Sequence, residues 1–241
     1  IVVASHPRSG THLTLDLLRK QFDVCKASLE IGETLHHLYL NLDAMTTVAG
    51  RYRVNDALDL LRRATRPTVK THSLPTLDMF SGPERALAEQ ILESGTLLYV
   101  IRDCRAVLCS MYQWEKNRHN NFNASLSWYL RNPLGRNSYA SERYQPDMTY
   151  LEKWVEHTGL EPLYEQPLLP KKIKHGGRLA DYWRRLVGDY ESTAVLGRGA
   201  NEQALDWRKE FSKEDRQLIH DTAGDVLIEL GYESGEDWIK T

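Results

Sequence analysis

The sequence of 241 residues is poor in several features that would assign it to a common class of protein. Its three cysteines, Cys25, Cys104 and Cys109, are too few for a disulfide framework, and no pair has the spacing of metal ligands. We therefore expect reduced and partly buried thiols, a reducing compartment and a cytoplasmic location. No apolar run is long enough to cross a bilayer, and no secretory leader is recognisable, although a segment upstream of Ile1 is left open.

A large excess of charge is also absent. The formal net charge is -2, so the chain as a whole does not attract nucleic acid or an anionic membrane, and we predict neither as a partner. Any site for an anionic ligand must therefore be a local cluster of donors. The composition, with 41% hydrophobic and 27% charged residues, is that of an ordinary globular protein, and we predict one domain spanning residues 1–241.

Short apolar strands alternate with helical patterns along most of the chain. Residues 1–4 are continuously apolar, and a glycine-containing turn leads from them into a helical pattern that extends to about Phe22. Further strands are predicted at residues 68–72 and 96–101, and further helices at residues 57–61, 83–93, 106–114 and 213–230. This alternation predicts an α/β fold with a central parallel sheet flanked by helices on both faces. Residues 117–190 lack a steady period, and we expect them to form lid and pocket insertions around a site.

The turn after the first strand has the composition of an anion cradle. Backbone N–H groups and the positive end of a helix point at such a turn, and Gly10 allows a ligand to approach the backbone closely. Ser9, Thr11 and His12 add side-chain donors, and Arg8 adds a permanent cation. No Lys follows Gly10, so this is not the Gly-Lys-Ser or Gly-Lys-Thr loop of proteins that hydrolyse ATP or GTP.

The cradle segment Pro7–Thr11, Pro-Arg-Ser-Gly-Thr, resembles the 5′-phosphosulfate loop of sulfotransferases that use 3′-phosphoadenosine 5′-phosphosulfate (PAPS). The resemblance implies the P-loop-like sulfotransferase fold with its strand–loop–helix cradle. It also implies PAPS as the donor, 3′-phosphoadenosine 5′-phosphate (PAP) as the product, and the soluble branch of the family. The adjacent His36 and His37 lack the spacing of metal ligands, and we predict no catalytic metal.

A second segment resembles the 3′-phosphate element of the same family, in which a strand ends in Arg and a Ser follows eight residues later. Here Arg102 ends a predicted strand and Ser110 follows at that spacing. Arg102 would emerge at the carboxyl end of a central strand, where open α/β sheets bind ligands. In the alternative, Arg102 pairs with Asp103 or Asp16 and Ser110 only packs on its helix.

The segment Lys70-Thr71-His72 resembles the catalytic landmark of the family, which ends an inner strand. Lys70 and His72 are two residues apart, so a strand points both to one face. The resemblance implies that His72 removes a proton from the acceptor, a role that suits the near-neutral pKa of an ordinary histidine. Lys70 and Arg8 are expected to stabilise charge that develops on the donor's oxygens. The alternative for a histidine at a strand end is structural hydrogen bonding.

Near the end of the chain, residues 197–208 resemble the family's late loop, which holds the 3′-phosphate with a basic residue and a backbone amide. The resemblance assigns these roles to Arg198 and Gly199. Two departures leave the adenine contacts open. Only Asp189-Tyr190-Glu191 stands where the family has Arg-Tyr-Glu-Asp-Leu, and Leu13 stands where a Trp is common.

Together these segments imply direct in-line transfer of a sulfuryl group to a hydroxyl or amine of a small-molecule acceptor, without a covalent enzyme intermediate. Aromatic residues of the central region are expected to line the acceptor pocket, with core packing as the alternative. These residues are Tyr112, Trp114, Trp128, Tyr129, Tyr144 and Trp154.

Three other functions stay open at this point. A small-molecule or nucleoside kinase with a degenerate loop would bind Mg²⁺-ATP, and a non-catalytic nucleotide-binding module would keep the fold without turnover. A glycan or protein acceptor would fit the membrane-anchored branch of the fold, against which the Lys-Thr-His segment argues. The sequence does not fix the acceptor, O- or N-sulfation, or the oligomeric state, for which a homodimer is one option.

Overall fold

The computed structural model describes residues 1–30, 33–47, 49–72, 77–118, 124–131 and 205–240. By their contacts these residues divide into two compact units. The first unit contains residues 1–5 and 10–100, and the second contains residues 6–9 and the described residues from Ile101 onward. The single domain expected over residues 1–241, with its lid insertions at 117–190, stays a prediction, because most of the insertions lie outside the described residues.

The first unit is built on a parallel sheet of four strands in the order β2-β3-β1-β4. Its strands are β1 (Val2–Ser5), β2 (Leu40–Asn41), β3 (Val69–Thr71) and β4 (Leu97–Val100). The three strands that the apolar runs predict are confirmed as β1, β3 and β4. The two-residue β2 was not predicted, and it extends the sheet beyond β3.

Helices cover both faces of this sheet, as the alternating pattern predicts. They are α1 (Thr11–Gln21), α2 (Val54–Leu61) and α3 (Gly82–Ser94). The α1 residues Leu15 and Leu18 pack in one cluster with Val3, whereas α2 and α3 pack in another cluster with Val2. Adjacent strand residues point to opposite faces, and both valines are almost fully buried. The α/β fold with a parallel sheet between two helical layers is therefore confirmed.

The junction between α3 and β4 requires a glycine. A Cβ on Gly95 would lie 2.4 Å from the carbonyl oxygen of Ile91 and 2.9 Å from Cγ2 of Val2. Since α3 turns directly into β4 beside β1, a larger residue at this position would displace backbone. The requirement comes from close approach of neighbouring chain segments.

The second unit is helical in its described part. Its helices are α4 (Cys104–Arg118), α5 (Leu126–Arg131), α6 (Trp207–Glu210) and α7 (Lys213–Glu229), with a 3-10 turn at Asp237–Ile239. Ser212 caps α7, because its hydroxyl accepts a hydrogen bond from the amide of Asp215 at 3.2 Å and the Asp215 carboxylate accepts one from the amide of Ser212 at 3.1 Å. None of the described helices combines the length and apolar character that crossing a membrane requires.

All three cysteines are free thiols. Burial raises the pKa of Cys25 to about 11 and the pKa values of Cys104 and Cys109 to about 12. These side chains are therefore protonated near neutral pH and poor nucleophiles. Cys25 and Cys109 are buried and Cys104 is half-buried, in agreement with the expectation of partly buried thiols, and the cytoplasmic location stays a prediction.

Candidate active site

In the first unit, the predicted catalytic segment lies at the carboxyl ends of β1 and β3. His72 follows β3 directly, and its Nδ1 lies 3.2 Å from the carbonyl oxygen of Ser5, the last residue of β1. Because a carbonyl oxygen only accepts, Nδ1 must carry the proton of this hydrogen bond. A neutral imidazole then has its lone pair on Nε2, which is the state that a general base requires.

Lys70 is a buried cation on β3, with 8% of its surface exposed. Burial lowers its pKa from the ordinary lysine value, and the negative charge of Asp43 opposes that change. Within the described residues, Lys70 has no hydrogen bond or ion pair to a carboxylate. Burying an ammonium group without a hydrogen-bonded counter-ion is costly, which indicates a place for an anionic ligand.

One carboxylate beside this segment was not predicted from the sequence. Asp43 lies in the 3-10 turn Leu42–Met45 that follows β2, and it accepts hydrogen bonds from Thr71 and His72. The sequence does place an acidic residue directly after the short apolar pattern of residues 38–42. That signal is weak, because two residues are too few to establish a strand period.

The part of the predicted cradle that belongs to the first unit begins at Gly10. Gly10 precedes α1 with a φ of 119°, a backbone conformation that favours glycine. The buried hydroxyl of Thr11 shares a hydrogen bond with the hydroxyl of Ser5, and the ring of His12 meets the ring of Tyr39 edge-on at 5.6 Å. The start of α1 therefore offers backbone donors, and ligand binding by Gly10, Thr11 and His12 stays a prediction.

In the second unit, two arginines converge on each other. The Nε of Arg8 donates to the hydroxyl of Ser110 at 3.2 Å, and Nη1 of Arg102 donates to the carbonyl oxygen of Arg8 at 3.1 Å. Burial lowers the pKa of Arg8, and the neighbouring charge of Arg102 lowers it further. Neither guanidinium forms an ion pair with a carboxylate of the described residues. Two like charges held together in this way favour an anionic ligand.

The backbone at Arg8 is strained. Its φ is 70°, in the left-handed region that residues other than Gly, Asn and Asp rarely occupy. The next residue, Ser9, is buried, and its amide donates to the carbonyl oxygen of His6 at 3.1 Å. The conformation of the loop is thus fixed internally, and strain of this kind clusters at ligand sites. The Ser9 amide is directed within the loop, so its predicted contact with a ligand rests on the side chain.

The structure does not show the alternative in which Arg102 pairs with Asp103 or Asp16. Asp103 instead receives Arg105, whose Nη2 lies 2.8 Å from Oδ2, and Asp16 receives Arg19 at 3.4 Å. Ser110 likewise contacts Arg8 through its hydroxyl and does more than pack. The sequence segments assigned to different phosphates, at Arg8 and at Ser110, are therefore in direct contact.

The second unit also contains a buried ionic and aromatic cluster centred on Arg105. Arg105 is fully buried, pairs with Asp103 and Glu233, and lies 3.8 Å from the ring centroid of Trp207 and 4.6 Å from that of Trp238. Burial alone would lower its pKa, but the two carboxylates raise the pKa of Arg105 above the ordinary value. The cluster links the start of α4 to Glu233 and Trp238, which follow α7.

The aromatic residues expected in an acceptor pocket have several roles. Tyr129 is fully buried and meets the ring of Tyr112 at 5.5 Å, and both belong to the core of the second unit. Tyr112 also borders a cavity of about 640 Å³. Trp114 is half-buried and Trp128 is exposed. Core packing is thus the role of Tyr129.

Several predicted features lie outside the described residues. They are Arg198 and Gly199, the segment 189–191, and the aromatic residues Tyr144 and Trp154. In the described ranges, no group of three or more His, Cys, Asp or Glu side chains is placed to hold a metal ion. The expectation of no catalytic metal stays a prediction.

Comparison with known protein families gives the same family that the sequence segments resemble. A family model described as the sulfotransferase domain matches residues 1–164, more than half of the chain. The matched range includes the cradle, the Lys-Thr-His segment and the Arg102–Ser110 element, and it ends before Arg198 and Gly199. No curated protein and no solved structure matches the chain.

Proposed function

Because the chain belongs to the sulfotransferase family, we propose that it transfers the sulfuryl group of PAPS to a hydroxyl or amine of a small-molecule acceptor. An anionic nucleotide donor is supported mainly by three cations that have no carboxylate partner among the described residues. The first unit holds Lys70 and the second holds Arg8 and Arg102. Phosphate and sulfate groups are the ligands that such cations bind best.

The residues present fit PAPS. Arg102 and Ser110 would hold the 3′-phosphate, with Arg198 and Gly199 as further donors outside the described residues. The loop residues Arg8, Ser9, Gly10, Thr11 and His12 would hold the 5′-phosphosulfate. When bound, PAPS supplies the sulfuryl group and a phosphate leaving group. A cytoplasmic location belongs to this proposal and is supported by the free thiols.

His72 would act as the general base. Its Nε2 would take the proton of the acceptor hydroxyl or amine as that group attacks the sulfuryl group, for which PAPS would supply the phosphate as leaving group. The hydrogen bond from Nδ1 to Ser5 keeps the tautomer fixed and orients the ring. Lys70 and Arg8 would stabilise the negative charge on the departing oxygen. No covalent enzyme intermediate is needed.

The test of the donor is isothermal titration with PAP. We expect the wild-type protein to bind PAP with a Kd in the micromolar range or tighter, and ATP much more weakly. Arg102→Ala should weaken PAP binding by about 10- to 100-fold, because a charge-assisted hydrogen bond is worth roughly 1.5–3 kcal/mol. Arg62→Ala is the matched control, since Arg62 is exposed and pairs only with Asp59 among the described residues.

The alternatives give different results in the same experiment. A protein that binds Mg²⁺-ATP and not PAP would be a kinase with an altered loop, and the proposal would be wrong. Transfer is tested separately with ³⁵S-labelled PAPS and a panel of phenols, alcohols and amines. A protein that binds PAP and labels none of them would be a non-catalytic nucleotide-binding module.

A further inference from the structure

The sheet brings an acidic side chain close to the proposed general base. In the parallel pairing of β2 and β3, Asn41 lies opposite Lys70. Asp43 lies two residues beyond Asn41, in the 3-10 turn Leu42–Met45, and His72 lies two residues beyond Lys70, so both residues follow the carboxyl ends of their strands. The short strand β2 therefore positions the carboxylate of Asp43 beside the end of β3.

Both oxygens of this carboxylate are used by consecutive residues of the Lys-Thr-His segment. Oδ1 accepts from the hydroxyl of Thr71 at 2.6 Å, and Oδ2 accepts from the backbone amide of His72 at 2.9 Å. Thr71 is fully buried and Asp43 is half-buried, so this hydrogen bond is partly shielded from water. Hydrogen bonds to an ionised carboxylate are the stronger kind, and two of them fix the direction in which the chain leaves β3.

We propose that Asp43 is a positioning residue, which orients His72 for the transfer by holding the side-chain hydroxyl of Thr71 and the backbone amide of His72. The proposal rests on the proposed function, because it assigns Asp43 a part in the same reaction. Asp43 holds the main chain of His72, while the imidazole ring is anchored separately through Nδ1 to Ser5. With both ends fixed, the side chain is left with little freedom, and Nε2 keeps one direction.

The same carboxylate supports the second catalytic residue of the segment. Burial of Lys70 disfavours its charged form, and Asp43 counteracts this electrostatically. One acidic side chain therefore serves three successive residues, two by hydrogen bonds and one by its charge. All of these interactions of Asp43 are with the Lys-Thr-His segment. Asp56 differs in this respect, because its carboxylate caps the start of α2 by accepting a hydrogen bond from the amide of Arg53.

The experiment compares Asp43→Asn with Asp59→Asn, which removes an exposed carboxylate from α2. Three quantities are measured on the whole chain: the NMR shift of the His72 amide proton, the Kd for PAP, and the rate of PAP release from PAPS with 4-nitrophenol or water as acceptor. For Asp43→Asn we expect an upfield amide shift, an unchanged Kd, and a rate lowered about 10- to 100-fold, as misplacement of a catalytic group costs. Asp59→Asn should change none of them.

A second pair of variants applies if Asp43→Asn does not fold. Thr71→Val removes one of the two hydrogen bonds and should move the His72 amide signal and lower the rate, whereas Thr71→Ser should restore both. Equal signals and equal rates for this pair would overturn the positioning role, and so would a folded Asp43→Asn protein with the wild-type amide shift and rate. A wild-type protein that binds no PAP would overturn the proposed function instead, while the amide shift still reports whether Asp43 holds His72.

Discussion

The two units of the molecule each bury a cation, and the two cations differ in how they are compensated. Lys70 of the first unit has no hydrogen-bonded carboxylate among the described residues. Arg105 of the second unit pairs with two carboxylates and lies against two tryptophan rings. Because an unpaired buried charge is expensive, Lys70 indicates a place that a ligand completes, whereas Arg105 indicates scaffold.

The residues with proposed functions also differ between the units. The first unit combines the proposed proton acceptor, His72, with the cation of Lys70 at the carboxyl end of β3. The second unit combines two guanidinium groups with the hydroxyl of Ser110. We therefore expect substitutions in the first unit to change mainly the rate of transfer and substitutions in the second unit to change mainly nucleotide affinity.

The largest expected effect is that of His72→Ala. Loss of a general base lowers the rate by about 10²- to 10⁴-fold, so kcat for sulfuryl transfer should fall in that range while the Kd for PAP stays at the wild-type value. Rates with labelled PAPS and titration with PAP measure the two quantities. His37→Ala, in the same unit but hydrogen-bonded to Thr34, is the control. A parallel loss of rate and affinity would erase the proposed difference between the units.

The next largest effect is expected for Arg105→Met. Removal of the buried guanidinium leaves the half-buried carboxylates of Asp103 and Glu233 without their cation, which costs about 3–5 kcal/mol of unfolding free energy. Urea unfolding measures this loss. PAP binding should also weaken, because α4 carries Ser110 and begins two residues after Arg102.

The second unit offers a matched control for that variant. Arg208 lies over the same Trp207 ring, 4.5 Å from its centroid, but its side chain is 66% exposed. Arg208→Met should therefore cost only about 0.5–1 kcal/mol. Equal losses for the two variants would show that the aromatic contact, and not the buried ion pairs, stabilises the cluster.

Much of the first unit could be predicted because its signals are local. The apolar run of β1, the glycine turn and the amphipathic α1 stand next to each other in the sequence, and each element pattern is long enough to recognise. The same holds for β3 with Lys70 and His72. The resemblance of these segments to sulfotransferases then predicted the family that the domain match shows.

The remaining features depend on distant residues. Arg105 and Glu233 are 128 positions apart, and Arg8 and Ser110 are 102 apart, so no periodicity connects them. The strand β2 has two residues, too few for a pattern, and the position of Asp43 follows only from its pairing with β3. The burial of Tyr129 could not be predicted either, because the same aromatic side chain can line a pocket or pack in a core.

The smallest expected effect tests the unpaired cation of the first unit. Lys70→Met should raise the unfolding free energy of the ligand-free protein by about 1–2 kcal/mol, because it removes a buried charge that only a ligand completes. The same variant should transfer sulfuryl groups more slowly than the wild type. Lys26→Met, at an exposed position, should leave stability unchanged.

The pH dependence of that stability difference decides its cause. Burial lowers the pKa of Lys70 below the ordinary 10.5, so between the two values the unfolded chain binds more protons than the folded protein. The wild-type stability contributed by this group therefore rises with pH through that window and is lost as pH falls through the folded-state pKa. The advantage of Lys70→Met should be largest below the window and vanish above pH 10.5. An advantage that is independent of pH would instead come from better packing of methionine, and Lys70 would then no longer contrast with the fully paired Arg105.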